Sequence, residues 1–302
     1  MIDERRGFGY GVAAYGLWGI FPLYWPLLEP AGAIEILAHR ILWSLLTVVL
    51  VVLLLRRTAA VRAVFADRRA RLILLGAAAV ISVNWGGYIW GVNNDRVVET
   101  SLGYFINPLV TVLMGVVVLG ERLRRLQWLA VGLAAVAVVV LTVDYGRPPW
   151  IALLLAFSFA TYGLSKKQAG VDAVESLAVE TIYIAPVAAA YVGWLAWQGS
   201  SSFGTEGLGH AALFTTTGIV TVIPLLCFGA AAIRVSMVTI GLLQYIAPIL
   251  QFGIGVLVYH EPMPASRWIG FFLVWVALVV FTYEAATHLR RQLRETAESV
   301  AL

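Results

Sequence analysis

Residues 101–128 read SLGYFINPLVTVLMGVVVLGERLRRLQW, and residues 241–268 read GLLQYIAPILQFGIGVLVYHEPMPASRW. Each opens with a nearly uncharged run of about 20 residues, enough to cross a bilayer as a helix. At a shift of 140, Pro108, Gly115, Glu121 and Trp128 fall on Pro248, Gly255, Glu261 and Trp268. Over 101–143 against 241–283, 14 of 43 positions match. Some of these are trivial Val or Ala pairs, but the spacing Pro–x12–Glu–x6–Trp is hard to produce by accident. At the same shift Ala33, Glu35, Leu37 and Ala38 fall on Ala173, Glu175, Leu177 and Ala178. Tyr15-Gly16-Leu17 returns as Tyr162-Gly163-Leu164, at a shift of 147. The chain therefore reads as two copies of one unit.

Working outward, ten apolar segments emerge: 8–28, 33–55, 72–92, 98–119, 126–143, 150–165, 174–197, 209–231, 237–259 and 268–287. Ten helices of ~22 residues use ~220 of the 302 residues, leaving room for short loops and no sizeable soluble domain. Hydrophobic residues make up 61% and charged residues 13%. That excludes an ordinary soluble protein, which is about 25% charged, and it excludes disorder. Asp3–Arg6 before an apolar run imitates a signal peptide, but the run is too long for one and reads as an uncleaved first helix. The single cysteine, Cys227, allows no internal disulfide and no cysteine zinc site.

With the N-terminus placed in the cytoplasm and the spans alternating, 17 of the 21 basic residues fall on the cytoplasmic side. Arg96, Arg147 and Arg267 fall outside, and Arg40 lies within a span. The positive-inside rule thus favours ten spans with both termini cytoplasmic. Five helices per half is an odd number, so the halves enter the membrane from opposite sides. Inverted repeats of this kind are common among secondary transporters, with the solute site between the halves.

Several strings go beyond architecture: Asn84-Trp85 with Ile89-Trp90-Gly91-Val92-Asn93-Asn94; Ser101 to Leu109; Gly120-Glu121-Arg122 with Gln127-Trp128; Ala156-Phe157-Ser158-Phe159 with Tyr162-Gly163-Leu164; and Ile223 to Phe228. Over nearly the whole chain they resemble the EamA family of the drug/metabolite transporter superfamily. The resemblance implies an all-α integral membrane protein with ten transmembrane helices in two inverted five-helix repeats, 7–143 and 149–287, followed by a cytoplasmic tail, 288–302. It also implies a bacterial plasma membrane, export of a small metabolite or drug, and a central cavity lined mainly by helices one, three, four, six, eight and nine.

The substrate-binding set expected from this reading is Tyr15, Trp18, Asn84, Trp85, Tyr88, Tyr104, Asn107, Tyr162, Gln244 and Tyr245. Asn84, Asn107 and Gln244 are amides that need partners in hydrocarbon. The aromatics lie on helices that the resemblance assigns to the cavity, and tyrosine and tryptophan offer an apolar face with a polar handle. Trp25, Trp90, Trp150, Trp197 and Trp268 lie near span ends and suit an interfacial belt instead.

Candidates for coupling or gating are Glu35, His39, Arg40, Glu99, Glu180, Pro108 and Pro248. Ionisable groups in a bilayer are costly and turn toward the bundle interior or water. A Glu35–Arg40–Glu99 set could pair or guide solute entry, with an interfacial structural ion pair as the plainer alternative. His39 could add protonation near neutral pH. Glu35 and Glu175 suit helix N-termini, and Glu180 lies one turn deeper. Glu121 and Glu261 read as structural markers of the repeat that accept bonds from a following turn or pair with Arg. Pro108 and Pro248 each free a carbonyl, as a bend or in plain packing.

No cofactor, metal or catalytic cluster is expected, and no Walker motif occurs. His39, His210, His260 and His288 are scattered. The expected partners are a small-molecule solute and the lipid bilayer, with no nucleic acid, and pairing into a homodimer is left open. The alternative to a permease is a membrane-embedded enzyme acting on a small apolar substrate. A membrane scaffold ranks last, because the loops are too short to bind partners.

Overall fold

The computed structural model describes residues 2–119, 123–232, 234–235 and 243–301. Its helices are α1 (Ile2–Gly19), α2 (Ala33–Leu54), α3 (Thr58–Ala66), α4 (Arg68–Val92), α5 (Val97–Leu119), α6 (Arg125–Tyr145), α7 (Trp150–Ala169), α8 (Ala173–Gln198), α9 (Leu208–Ala232), α10 (Ile246–Leu257) and α11 (Ala265–Ala301). Among the described residues, seven are long and apolar enough to cross a membrane, and α7 and α10 are shorter apolar helices. The protein is an all-helical, multi-pass membrane protein.

The boundaries follow local chemistry. Asp67 caps α4 by accepting from the backbone N–H groups of Arg69 and Ala70. Gly146 and Gly199 end α6 and α8 with φ of 64° and 68°, the left-handed geometry that glycine adopts without penalty. Three expected boundaries shift. The first span ends at Gly19, and residues to Leu28 form two short 3-10 turns, each opened by a proline. The Arg56–Arg71 loop contains α3. The 288–302 tail continues α11 as helix to Ala301. The expected span at 237–259 is described only from residue 243.

Packing runs mostly between the halves. α1 packs on α9 and α10, α2 on α8 and α9, α4 on α7 and α8, α5 on α7 and α10, and α6 on α11. Exchanging α1, α2, α4, α5 and α6 with α7, α8, α9, α10 and α11 maps this set of contacts onto itself. That is the symmetry expected of two inverted copies. Small residues let the backbones approach. A methyl added at Gly103 would come within 2.8 Å of the Ala152 carbonyl oxygen, where α5 crosses α7. A methyl at Gly218 would meet the Trp43 carbonyl more closely still, where α9 crosses α2. Leu46, Leu50, Leu54, Val139, Val143, Phe272 and Val279 remain exposed on the outside of the bundle, where lipid covers them.

Candidate functional site

Arg40 lies seven residues after the start of α2, ~10 Å along the helix axis, and is 4% exposed. A cation at the centre of a membrane helix costs at least ~2.5–3.5 kcal/mol, so its partners decide what it can do. Its Nε donates to Thr221 Oγ1 on α9 at 2.9 Å, and Thr221 gives its own proton to the Thr217 carbonyl at 2.8 Å. The guanidinium carbon lies 4.0 Å from the centroid of Trp85 and 5.0 Å from that of Trp25. Desolvated contacts of this kind are worth about 2 kcal/mol each. Tyr88 and Tyr104 meet edge to face nearby, with centroids 5.7 Å apart.

The expected Glu35–Arg40–Glu99 set does not form, because each carboxylate is engaged elsewhere. Glu35 accepts from Ser201 Oγ, Ser202 N and Ser202 Oγ at 2.7–3.0 Å. Glu99 pairs with Arg147 at 2.7 Å and accepts from the Ile151 N–H at 3.1 Å, capping α7; Arg96 lies 3.7 Å away. His39 stacks on Phe203 with centroids 4.8 Å apart and touches Phe214 at 4.6 Å. It packs among aromatics on the side where α2 begins.

The position matching Arg40 in the second half is Glu180, seven residues after the start of α8. Its carboxylate is almost fully partnered. Lys166 Nζ lies 2.8 Å from Oε1, Ser176 Oγ donates to Oε1 at 2.8 Å, and Tyr162 OH donates to Oε2 at 3.0 Å. Lys166 also bonds Ser176 Oγ and covers the Tyr162 ring at 5.1 Å.

An aromatic lining joins these two charges. Tyr88 meets Tyr104, Tyr104 meets Phe159, and Phe159 meets Tyr162, with centroids 5.7–6.2 Å apart. Tyr104 and Tyr162 are half-buried. On the α1 and α9 side, Tyr15, Trp18 and Phe228 form a mutual cluster. Gln251 of α10 donates to the Trp18 carbonyl at 3.1 Å.

The remaining expected residues divide. Asn84 donates to the Leu155 carbonyl at 3.0 Å and Ser158 Oγ at 2.9 Å, tying α4 to α7, while its Oδ1 finds no donor. Asn107, half-buried on α5, also keeps an unpaired oxygen. Tyr245 stands apart from the aromatic lining. It lines an apolar groove of about 510 Å³ with Phe105, Ile249, Trp275, Leu278 and Tyr283. Pro108 is inside α5, but Pro248 is in the first turn of α10. Gln244 and Tyr245 form a turn before α10 begins at Ile246. Glu121 lies outside the described residues.

Trp25, Tyr24, Thr221 and Lys166 were not legible as site residues. Trp25 suits an interfacial belt by position, yet it is fully buried, because the 3-10 turns carry it back over Arg40. Tyr24 OH reaches Thr216 Oγ1 at 2.8 Å and the Leu213 carbonyl at 3.1 Å. Thr221 is one of several threonines on α9 that look alike in sequence. Lys166 counts as a loop base by position, but it turns back toward Glu180.

A multi-pass helical bundle with pseudo-symmetric halves and buried charges between them defines a membrane transporter fold. The chain belongs to the EamA-like transporter family, whose model matches residues 5–143. It is 59% identical to Protein RarD of Streptomyces exfoliatus over 289 residues, covering 96% of this chain and 92% of that one. It is 41% identical to an uncharacterized transporter of Vibrio cholerae over 294 residues, covering 97% of each. A solved structure titled only as the crystal structure of a protein superposes with a TM-score of 0.61 at 18% identity, covering 93% of this chain and 98% of that one. That likeness is one of fold.

Proposed function

We propose that this membrane transporter is a secondary permease that exports a small organic solute by alternating access. The moving units are two inverted five-helix repeats, 7–143 and 149–287, and the solute occupies the aromatic-lined interior between Arg40 and Glu180. The observation that carries this reading is the exchange symmetry of the helix contacts. It puts most packing between the halves, where rocking can open one side as the other closes. Ten spans, cytoplasmic termini and a bacterial plasma membrane complete the proposal.

On the side where α2 begins, taken as the outer side, several ties join the halves. Among them are Glu35 to Ser201 and Ser202, Tyr259 OH to the Pro22 carbonyl at 2.8 Å, and Glu261 to the N–H groups of Val97 and Val98. The chain acts as a carrier and not an enzyme, in keeping with the transporter name of its Vibrio relative.

The test is untargeted measurement of metabolites released by cells producing the full chain. We expect one chemical class to accumulate in the medium at least threefold over cells without the protein. Trp18→Ala and Tyr104→Ala should abolish this at unchanged folded yield. Chemical conversion of a solute without its movement, or release unchanged in both variants, overturns the reading.

A further inference from the structure

The side chains around Arg40 are unusual in what they lack. Its Nε is satisfied by Thr221 and its flat faces by Trp85 and Trp25, but its two terminal amino groups have no acceptor among the described residues. Among the described residues no carboxylate pairs with it, and the ionisable groups that act on it are Tyr104, Tyr88 and Tyr24. Tyr88 is 3% exposed and its hydroxyl has no hydrogen-bond partner, and the buried Trp25 Nε1 has none either. These are buried donors without an acceptor, and folded proteins normally satisfy such groups. A buried arginine without its counter-charge is expensive, and the missing partner must be anionic.

We propose that Arg40, with the hydroxyls of Tyr88 and Tyr104, forms the subsite that receives the carboxylate of an aromatic organic acid, whose ring lies along the aromatic lining. The proposal rests on the transporter reading and adds the solute class. A guanidinium fork with two free amino groups fits one carboxylate in bidentate fashion. The site supplies one positive charge and no lysine, so a carboxylate monoanion leaves it neutral. A phosphate dianion would leave excess negative charge buried.

The test uses the full chain in lipid nanodiscs and proteoliposomes, with hippurate, its neutral amide hippuramide, and phenyl phosphate as probes at constant ionic strength. Hippurate should raise the melting temperature in a dose-dependent way, and hippuramide should not. Arg40→Gln should weaken the hippurate response at least tenfold. Tyr88→Phe, which deletes one oxygen without changing packing, should weaken it severalfold at wild-type folded yield, so the test survives an Arg40 variant that fails to fold. Equal responses to acid and amide, no response to hippurate, a response undiminished in both variants, or a preference for phenyl phosphate overturns the proposal. Uptake of labelled hippurate into proteoliposomes separates the two readings. Binding through Arg40 without protein-dependent flux keeps the subsite and removes transport. Protein-dependent flux of neutral or cationic solutes alone does the reverse.

Discussion

Arg40 and Glu180 occupy matching positions in the two halves, and their surroundings are opposite in kind. Glu180 has an ammonium, two hydroxyls and an aromatic neighbour, so its charge is neutralised within the protein. Arg40 has one threonine and two indole faces, and its charge is spread but not neutralised. A duplicated unit placed a buried charge at the same depth twice, and only one copy completed it. The completed one is architecture, whereas the uncompleted one has its donors waiting in the interior.

The largest expected effect breaks this contrast directly. Glu180→Gln leaves Lys166 without its counter-charge. Removing one partner of a buried pair costs several kcal/mol. Because Lys166 is 25% exposed, the expected loss is smaller, about 2–3 kcal/mol. Arg40→Met, by contrast, removes a charge that had no carboxylate, and the desolvation cost it relieves offsets the lost indole contacts, so the loss should be smaller than in Glu180→Gln. Adding Lys166→Met to Glu180→Gln should recover part of the loss, which a double-mutant cycle measures in thermal unfolding. If Arg40→Met costs as much as Glu180→Gln, Arg40 is as fully paired as Glu180 and the contrast fails.

The contrast was only half visible in the sequence. Apolar run lengths, basic residues on alternate sides and the 140-residue repeat sufficed for the helical membrane class and the transporter family. Glu35, Arg40 and Glu180 stood out because charges in spans are rare. Their partners did not stand out, because those come from elsewhere in the chain. Ser201 and Ser202, which hold Glu35, lie in the most loop-like stretch, and Thr221, which holds Arg40, lies 181 residues away. Spacing within one helix suggested Glu35, Arg40 and Glu99 as a set. Tertiary packing gave each a different neighbour. Tyr245 shows the same limit, since residence on a cavity helix does not decide which face of that helix looks inward.

A second, somewhat smaller effect tests how the outer side is held. Burial pushes the Glu261 carboxyl up to about 7, against the opposing pull of the Val98 and Val97 N–H groups; Asp95 adds to the rise and Arg267 opposes it. A carboxyl raised in the folded state binds its proton more tightly there than in the unfolded chain, whose ordinary value is 4.5. Its stabilising contribution is therefore complete below about pH 4.5 and is lost as pH rises toward 7. Stability should fall across that window by an amount on the order of 2 kcal/mol, read as a falling melting temperature, and Glu261→Gln should flatten the slope. A slope unchanged in the variant assigns the titration to another group and removes Glu261 from pH control of this tie.

The smallest effect concerns the two helix-start carboxylates, which again match by position. Glu35 at the start of α2 is held by the loop that follows α8, and Glu175 at the start of α8 is held by the segment that follows α2. The antiparallel α2–α8 pair thus closes at both ends by the same exchange. The chemistry differs, however. Glu35 takes three neutral donors from Ser201 and Ser202. Glu175 takes the Arg57 guanidinium at 2.9 Å, with Asp172 also on Arg57 at 3.2 Å. Salt screens the exposed ion pair and barely touches short neutral hydrogen bonds. Arg57→Gln should therefore lower the melting temperature slightly in dilute buffer, with the difference fading at 1 M salt. Replacing Ser201 and Ser202 together with alanine should cost the same at either ionic strength, because the lost partners were never charged. If both variants respond to salt alike, the two ends are held by the same kind of force and the inverted repeat is chemically as well as geometrically symmetric there.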